Sequence, residues 1–116
     1  MPITMTEKQA TIQQLLAAKT KSYVAELTLR MKDYPDEADE VQEHGKELSR
    51  QIDRLIGEAI SDWMGDADAI ISYVKLTNQR MQRSINEINN DIKTTENAVK
   101  LIGFIDDVVK IATAII

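Results

Sequence analysis

Apolar residues recur every three or four positions along most of this chain. Ala38, Val41, Leu48, Ile52, Leu55, Ala59 and Trp63 carry the pattern through the middle, and Ala67, Ile70, Val74, Met81, Ile85, Ile88, Ile92, Val99 and Ile102 continue it. That period fits the turn of an α-helix, whereas a half-buried strand alternates at every second residue. Stripes of this kind are stable when buried on other helices, in the same chain or in another. The spacing predicts an all-α fold: an antiparallel helical hairpin or bundle of about three long helices with coiled-coil-like packing, in a single domain over 1–116.

Punctuation residues divide the stripe. The first helix is expected over about 6–33, opened by a capping box of Thr6 with Gln9 and closed at Asp33-Tyr34-Pro35. Its buried face would be Ile12, Leu15, Leu16, Tyr23, Val24, Leu27 and Met31. The second helix is expected over about 35–63, with Asp36, Glu37, Asp39 and Glu40 at the positive end of its dipole. Gly45 inside it costs about 1 kcal/mol against Ala and implies close approach of a neighbouring helix. Met64-Gly65-Asp66 reads as a break, with Gly65 left-handed and Asp66 capping the next helix; the alternative is a helix that continues through Gly65. The third segment, about 66–116, would be about 75 Å long as one helix, against about 45 Å for the second. It must therefore overhang and find another subunit, or bend near 94–103, at Thr94-Thr95 or Gly103, and fold back.

Charge is unevenly shared. Residues 1–32 hold five Lys/Arg and two Asp/Glu, residues 33–66 hold three and eleven, and residues 67–116 hold six of each. A basic first helix beside an acidic second one favours their pairing as an antiparallel hairpin. The net charge of −5 argues against binding to a phosphate backbone, and the five aromatic side chains offer little platform for stacking bases. A nucleic-acid partner is not expected.

Chemistry is sparse. His44 is the only histidine and there is no cysteine. Glu40 and Glu47 lie on its helix face, but the second Glu-x-x-His that a di-iron bundle needs is missing. Asp62, Asp66 and Asp68 cluster at the second break, where helix capping accounts for them better than an EF-hand, since apolar residues follow where ligands would continue. The glycines are isolated and form no phosphate loop. No catalytic residue, cofactor or metal site is expected, and the chain reads as a non-enzyme. Thr77 and Thr95 interrupt the third stripe, and Asn86, Asn89, Asn90 and Asn97 flank it; polar groups so placed can fix register.

The segment from Leu101 onward is broadly apolar. Leu101, Ile102, Ile105, Val108, Val109, Ile115 and Ile116 form the expected interaction surface, with Leu101, Ile105, Val108 and Ala112 at heptad-like spacing. The helix is too short to span a bilayer, and its polar side carries Asp106 and Asp107 rather than the Lys/Arg of a membrane-surface helix. A protein partner is expected there before lipid.

Trp63-Met64-Gly65 followed by Asp66-Ala67-Asp68-Ala69 and a long helix resembles the turn of the small WXG hairpin proteins exported by type VII secretion. The resemblance covers three residues and the general layout. It implies a Trp and a Gly at the tip between two antiparallel helices, and export without a leader. The segment before the motif is longer than in that family and is broken at Pro35, and the trailing tyrosine with an acid four residues later is missing.

The leading expectation is thus a protein–protein interaction or assembly module acting through apolar helical faces, homo-oligomeric and acidic. The alternative is a secreted or membrane-active helical protein that uses its C-terminal helix. The N-terminal sequence shows no signal peptide, so the cytoplasm is the expected compartment.

Overall fold

The computed structural model describes residues 3–115, apart from the side chain of Ile60. Four α-helices make the fold: α1 (Met5–Met31), α2 (Pro35–Gly57), α3 (Ala67–Asn89) and α4 (Thr94–Ala114), with a 3-10 turn at Ile60–Asp62 between α2 and α3. The count of about three gives way to four because the third segment breaks at 90–93. Asp91 (φ 59°) and Lys93 (φ 44°) take left-handed backbone there without a glycine. Asparagine and aspartate tolerate that conformation well, and Asn97 secures the turn by donating from Nδ2 to the carbonyl of Ile92 at 2.9 Å. The break resolves the mismatch in length, leaving helices of 27, 23, 23 and 21 residues. They pack into a rod of 45 × 21 × 17 Å.

The helices run up, down, up, down. α1 packs on α2 and α3, α4 packs on α2 and α3, and α1 meets α4 across the short diagonal. The α1–α2 and α3–α4 turns lie at one end, tied by Lys32 and Asp91 at 3.0 Å. At the other end residues 58–66 cross beneath the bundle from α2 to the opposite corner. α1 and α3 are therefore parallel neighbours, joined by Asn78 to the carbonyl of Gln14 and by Lys21 to Gln82. α2 and α4 are also parallel, joined by His44 to Asp106 and by Arg54 to the carbonyl of Ala112.

Local chemistry sets the helix ends. The cap of α1 lies two residues before the expected Thr6: Thr4 Oγ1 accepts from the Glu7 amide, and Glu7 Oε1 accepts from the Thr4 amide. The carboxylate of Glu7 is a stronger acceptor than the amide of Gln9. Pro35 opens α2 in its first turn, where a missing N–H costs nothing. α2 stops at Gly57, six residues short of Trp63, as Glu58 turns extended. Gly65 adopts φ +104°, and Asp66 caps α3 by accepting from the Ala69 amide at 3.1 Å.

One core fills the rod, built from Leu15, Leu29, Leu48, Ile52, Leu55, Met81, Ile85, Ile88, Leu101 and Ile105 among others. Trp63 closes its lower end. The side chain is fully buried, with Lys8 Nζ 5.2 Å from the ring centroid, within cation–π range. The same ammonium donates to the carbonyl of Glu58, and the Met64 amide donates to the carbonyl of Ile115 at 2.8 Å. Trp63 thus sits in a crossover between helices at opposite corners, not at the tip of a hairpin.

α1 meets the core with small side chains. Thr11, Ala18, Ser22 and Ala25 are buried beside Leu15 and Leu29. The Thr11, Ser22 and Thr28 hydroxyls satisfy themselves on carbonyls four residues back, so these polar groups enter the core at little cost. This face displaces the expected one: of that set Leu15 is buried and Ile12 partly so, while Leu16, Tyr23, Val24, Leu27 and Met31 are exposed. The small face lets α2 approach closely, and a Cβ added to Gly45 would lie 3.4 Å from the Ser22 Cβ.

Candidate interaction surface

The C-terminal face is occupied within the chain. Leu101, Ile105, Val108 and Ile115 are buried in the core, and Ile102 and Val109 are half-buried against it. Ile116 lies outside the described residues. The heptad-like spacing of Leu101, Ile105, Val108 and Ala112 therefore serves an intramolecular seam in this conformation. Among the described residues no helix is long and apolar enough to cross a membrane.

A different helix presents an apolar face to solvent. At about 100° per residue, Leu16, Tyr23, Leu27 and Met31 fall on the side of α1 opposite Ala18, Ser22, Ala25 and Leu29. Leu16, Val24 and Leu27 are 40%, 40% and 41% exposed, Tyr23 is 60% exposed and Met31 is 86% exposed. Thr20, also exposed, completes the row. Single exposed apolar residues are ordinary, whereas these share one face of one helix.

The polar borders of the row are partly tied down. On the α2 side Arg30 bridges Glu26 at 3.0 Å and Asp39 at 2.9 Å, and the hydrogen bonds it donates to Asp39 and then to Glu26 raise its pKa above the usual arginine value. Lys19 is exposed and makes no ion pair among the described residues. On the α3 side Lys21 donates to Gln82 at 2.8 Å. A groove of about 230 Å³ runs between α1 and α2, lined by Lys19, Ser22, Tyr23, Gln42, Gly45 and Ser49 among others. It opens where the small Ser22 and Gly45 face each other.

His44 is paired across the bundle rather than along its own helix. Its Nδ1 lies 2.5 Å from Asp106 Oδ1, with both side chains about two-fifths exposed. Glu47, one turn away, instead accepts from Gln51 and Arg50, and those two contacts hold its carboxyl below the usual carboxylate range. Among the described residues no three His, Cys, Asp or Glu side chains gather closely enough to hold a metal ion. A shallow recess of about 830 Å³ at the lower end is lined by Ile3, Thr4, Glu7, Trp63 and Asp66 among others. Its carboxylates serve as helix caps, and the buried Trp63 Nε1 has no acceptor among the described residues.

No known family model, curated protein or solved structure matches this chain.

The row lies on the side of α1 that the spacing of its large apolar residues assigns to the core. Two signals identify it. The alternative face, Thr11, Leu15, Ala18, Ser22, Ala25 and Leu29, keeps helical period while holding only small or apolar groups. The row itself, Leu16, Thr20, Tyr23 and Leu27, has the four-three-four spacing of a coiled-coil seam.

Proposed function

We propose that this protein is a non-enzymatic assembly module that binds protein, and forms a homo-oligomer, through the outer face of α1. The observation that carries the reading is the exposed row of Leu16, Tyr23, Val24, Leu27 and Met31 on a helix whose opposite face already fills the core. The C-terminal residues from Leu101 to Ile115 can join such an assembly only if the bundle opens. The α1 row is available with no rearrangement, so it is the surface favoured here. A binding role also agrees with a single histidine, no cysteine and few aromatics.

The test is the solution mass by light scattering over a range of concentrations, for the wild type and for Leu16→Glu/Leu27→Glu. The wild type is expected to form a dimer or larger species and the variant a folded monomer of unchanged helicity. Equal masses for the two proteins would overturn the reading. Loss of binding to vesicles rather than loss of mass would assign the row to lipid.

A further inference from the structure

We infer that the α1 row packs on α1 of a second copy, antiparallel, about a two-fold axis passing between Lys21 and Ser22. This rests on the assembly reading above and specifies its geometry. Leu16, Thr20, Tyr23 and Leu27 are spaced four, three and four residues apart, so the row reads the same in either direction. Turned end for end, it sets Leu16 against Leu27 of the second copy and Thr20 against Tyr23 of the second copy. Each layer thereby combines either two leucines or one small and one large side chain, as knobs-into-holes packing requires.

The borders obey the same symmetry. Ala10, Ala17, Val24 and Met31 run beside the row on one side at seven-residue spacing. In the antiparallel register Ala17 faces Val24 of the second copy, and Ala10 faces Met31 of the second copy, so small again meets large. On the other border Lys19 comes beside Glu26 of the second copy, twice about the axis. Lys19 has no ion partner among the described residues of its own chain, and Glu26, 12% exposed, already receives Arg30. The contact would extend that pair into a charge-complementary network.

A parallel pairing fits less well. It stacks Tyr23 on Tyr23 and Thr20 on Thr20, so that wide and narrow layers alternate and the small groups leave voids. An antiparallel two-fold contact is also isologous: the same patch serves both partners and the assembly closes at two copies.

The absence of cysteine makes a single spin label a clean reporter. Gln9 is exposed in the second turn of α1, on the line of the row but two turns before its first leucine. Pulsed dipolar spectroscopy on Gln9→Cys, spin-labelled, reads the separation of the two labels. The antiparallel register puts them at opposite ends of the contact, about 40 Å apart from the helical rise. A parallel register puts them side by side, within about 20 Å for helices 8–10 Å apart. A distance near 40 Å that disappears when Leu16→Glu/Leu27→Glu is added supports the inference. A short distance that disappears with the same pair overturns the antiparallel register and leaves the assembly reading intact. A monomer without any intermolecular distance, or a distance indifferent to Leu16→Glu/Leu27→Glu, overturns both. Circular dichroism of each variant separates loss of contact from loss of fold.

Discussion

Ser22 and Gly45 face each other where α1 and α2 come closest, and a Cβ on Gly45 would meet the Ser22 Cβ at 3.4 Å. That is ordinary van der Waals contact, so the approach tolerates an alanine. Gly45→Ala should stabilise the protein by up to about 1 kcal/mol through helix propensity. Ser22→Leu should cost about 1–3 kcal/mol, because the bulk enters a buried crossing. Urea unfolding of both variants checks the pair; destabilisation by Gly45→Ala would mean that the helices sit closer than described.

Trp63 anchors the crossover under the bundle, and removing it should expose how much the lower end depends on one ring. Trp63→Ala is expected to cost about 3–5 kcal/mol, the range for deleting a buried aromatic. Trp63→Phe should cost less, because it keeps most of the packing and removes an indole N–H that has no acceptor among the described residues. Denaturant midpoints followed by circular dichroism give both values. A loss below about 1 kcal/mol for Trp63→Ala would contradict its burial.

His44 and Asp106 join α2 to α4 at 2.5 Å, yet both are substantially exposed. Their coupling in a double-mutant cycle should therefore be modest, about 0–1 kcal/mol, and should shrink as salt is raised. The cycle uses His44→Ala, Asp106→Ala and the double variant at low and high salt. A coupling of several kcal/mol that salt leaves unchanged would show a desolvated pair instead.

The Glu47 carboxyl, held low by Gln51 and Arg50, makes a directional pH prediction. A depressed folded-state pKa means the ionised form is favoured by folding. The resulting stabilisation is present above the unfolded-state pKa and is lost as pH falls through the folded one. NMR titration should place the Glu47 midpoint below that of the same residue in Gln51→Ala/Arg50→Ala. Because the side chain is about two-fifths exposed, solvent screens the interaction and the effect on overall stability should be small.

The helical period, Pro35, Gly65 and Asp66 made the helices, the α1–α2 turn and the start of α3 legible in the sequence, since each of those residues acts locally. Three features were not. α2 ends at Gly57 rather than Trp63, where Glu58 turns extended although the apolar stripe continues. The turn at 90–93 uses Asp91 and Lys93 in left-handed backbone where no glycine or proline announces it. The facing of α1 is not legible from its large apolar residues, most of which point to solvent. The core instead selected Thr11, Ala18, Ser22 and Ala25, whose hydroxyls are satisfied within the helix and whose size lets α2 and α3 close in. The C-terminal heptad spacing was visible, but periodicity alone does not tell an internal seam from an external one.

The most direct measurement sets two surfaces against each other by sedimentation equilibrium and circular dichroism: Leu16→Glu/Leu27→Glu on α1 and Ile105→Glu/Val109→Glu on α4. The α1 pair should yield a fully helical monomer from an oligomeric wild type, while the α4 pair should lose the fold itself because Ile105 lies in the core. A helical monomer from the α4 pair, with an unchanged oligomer from the α1 pair, would contradict this and return the assembly surface to the C-terminal helix.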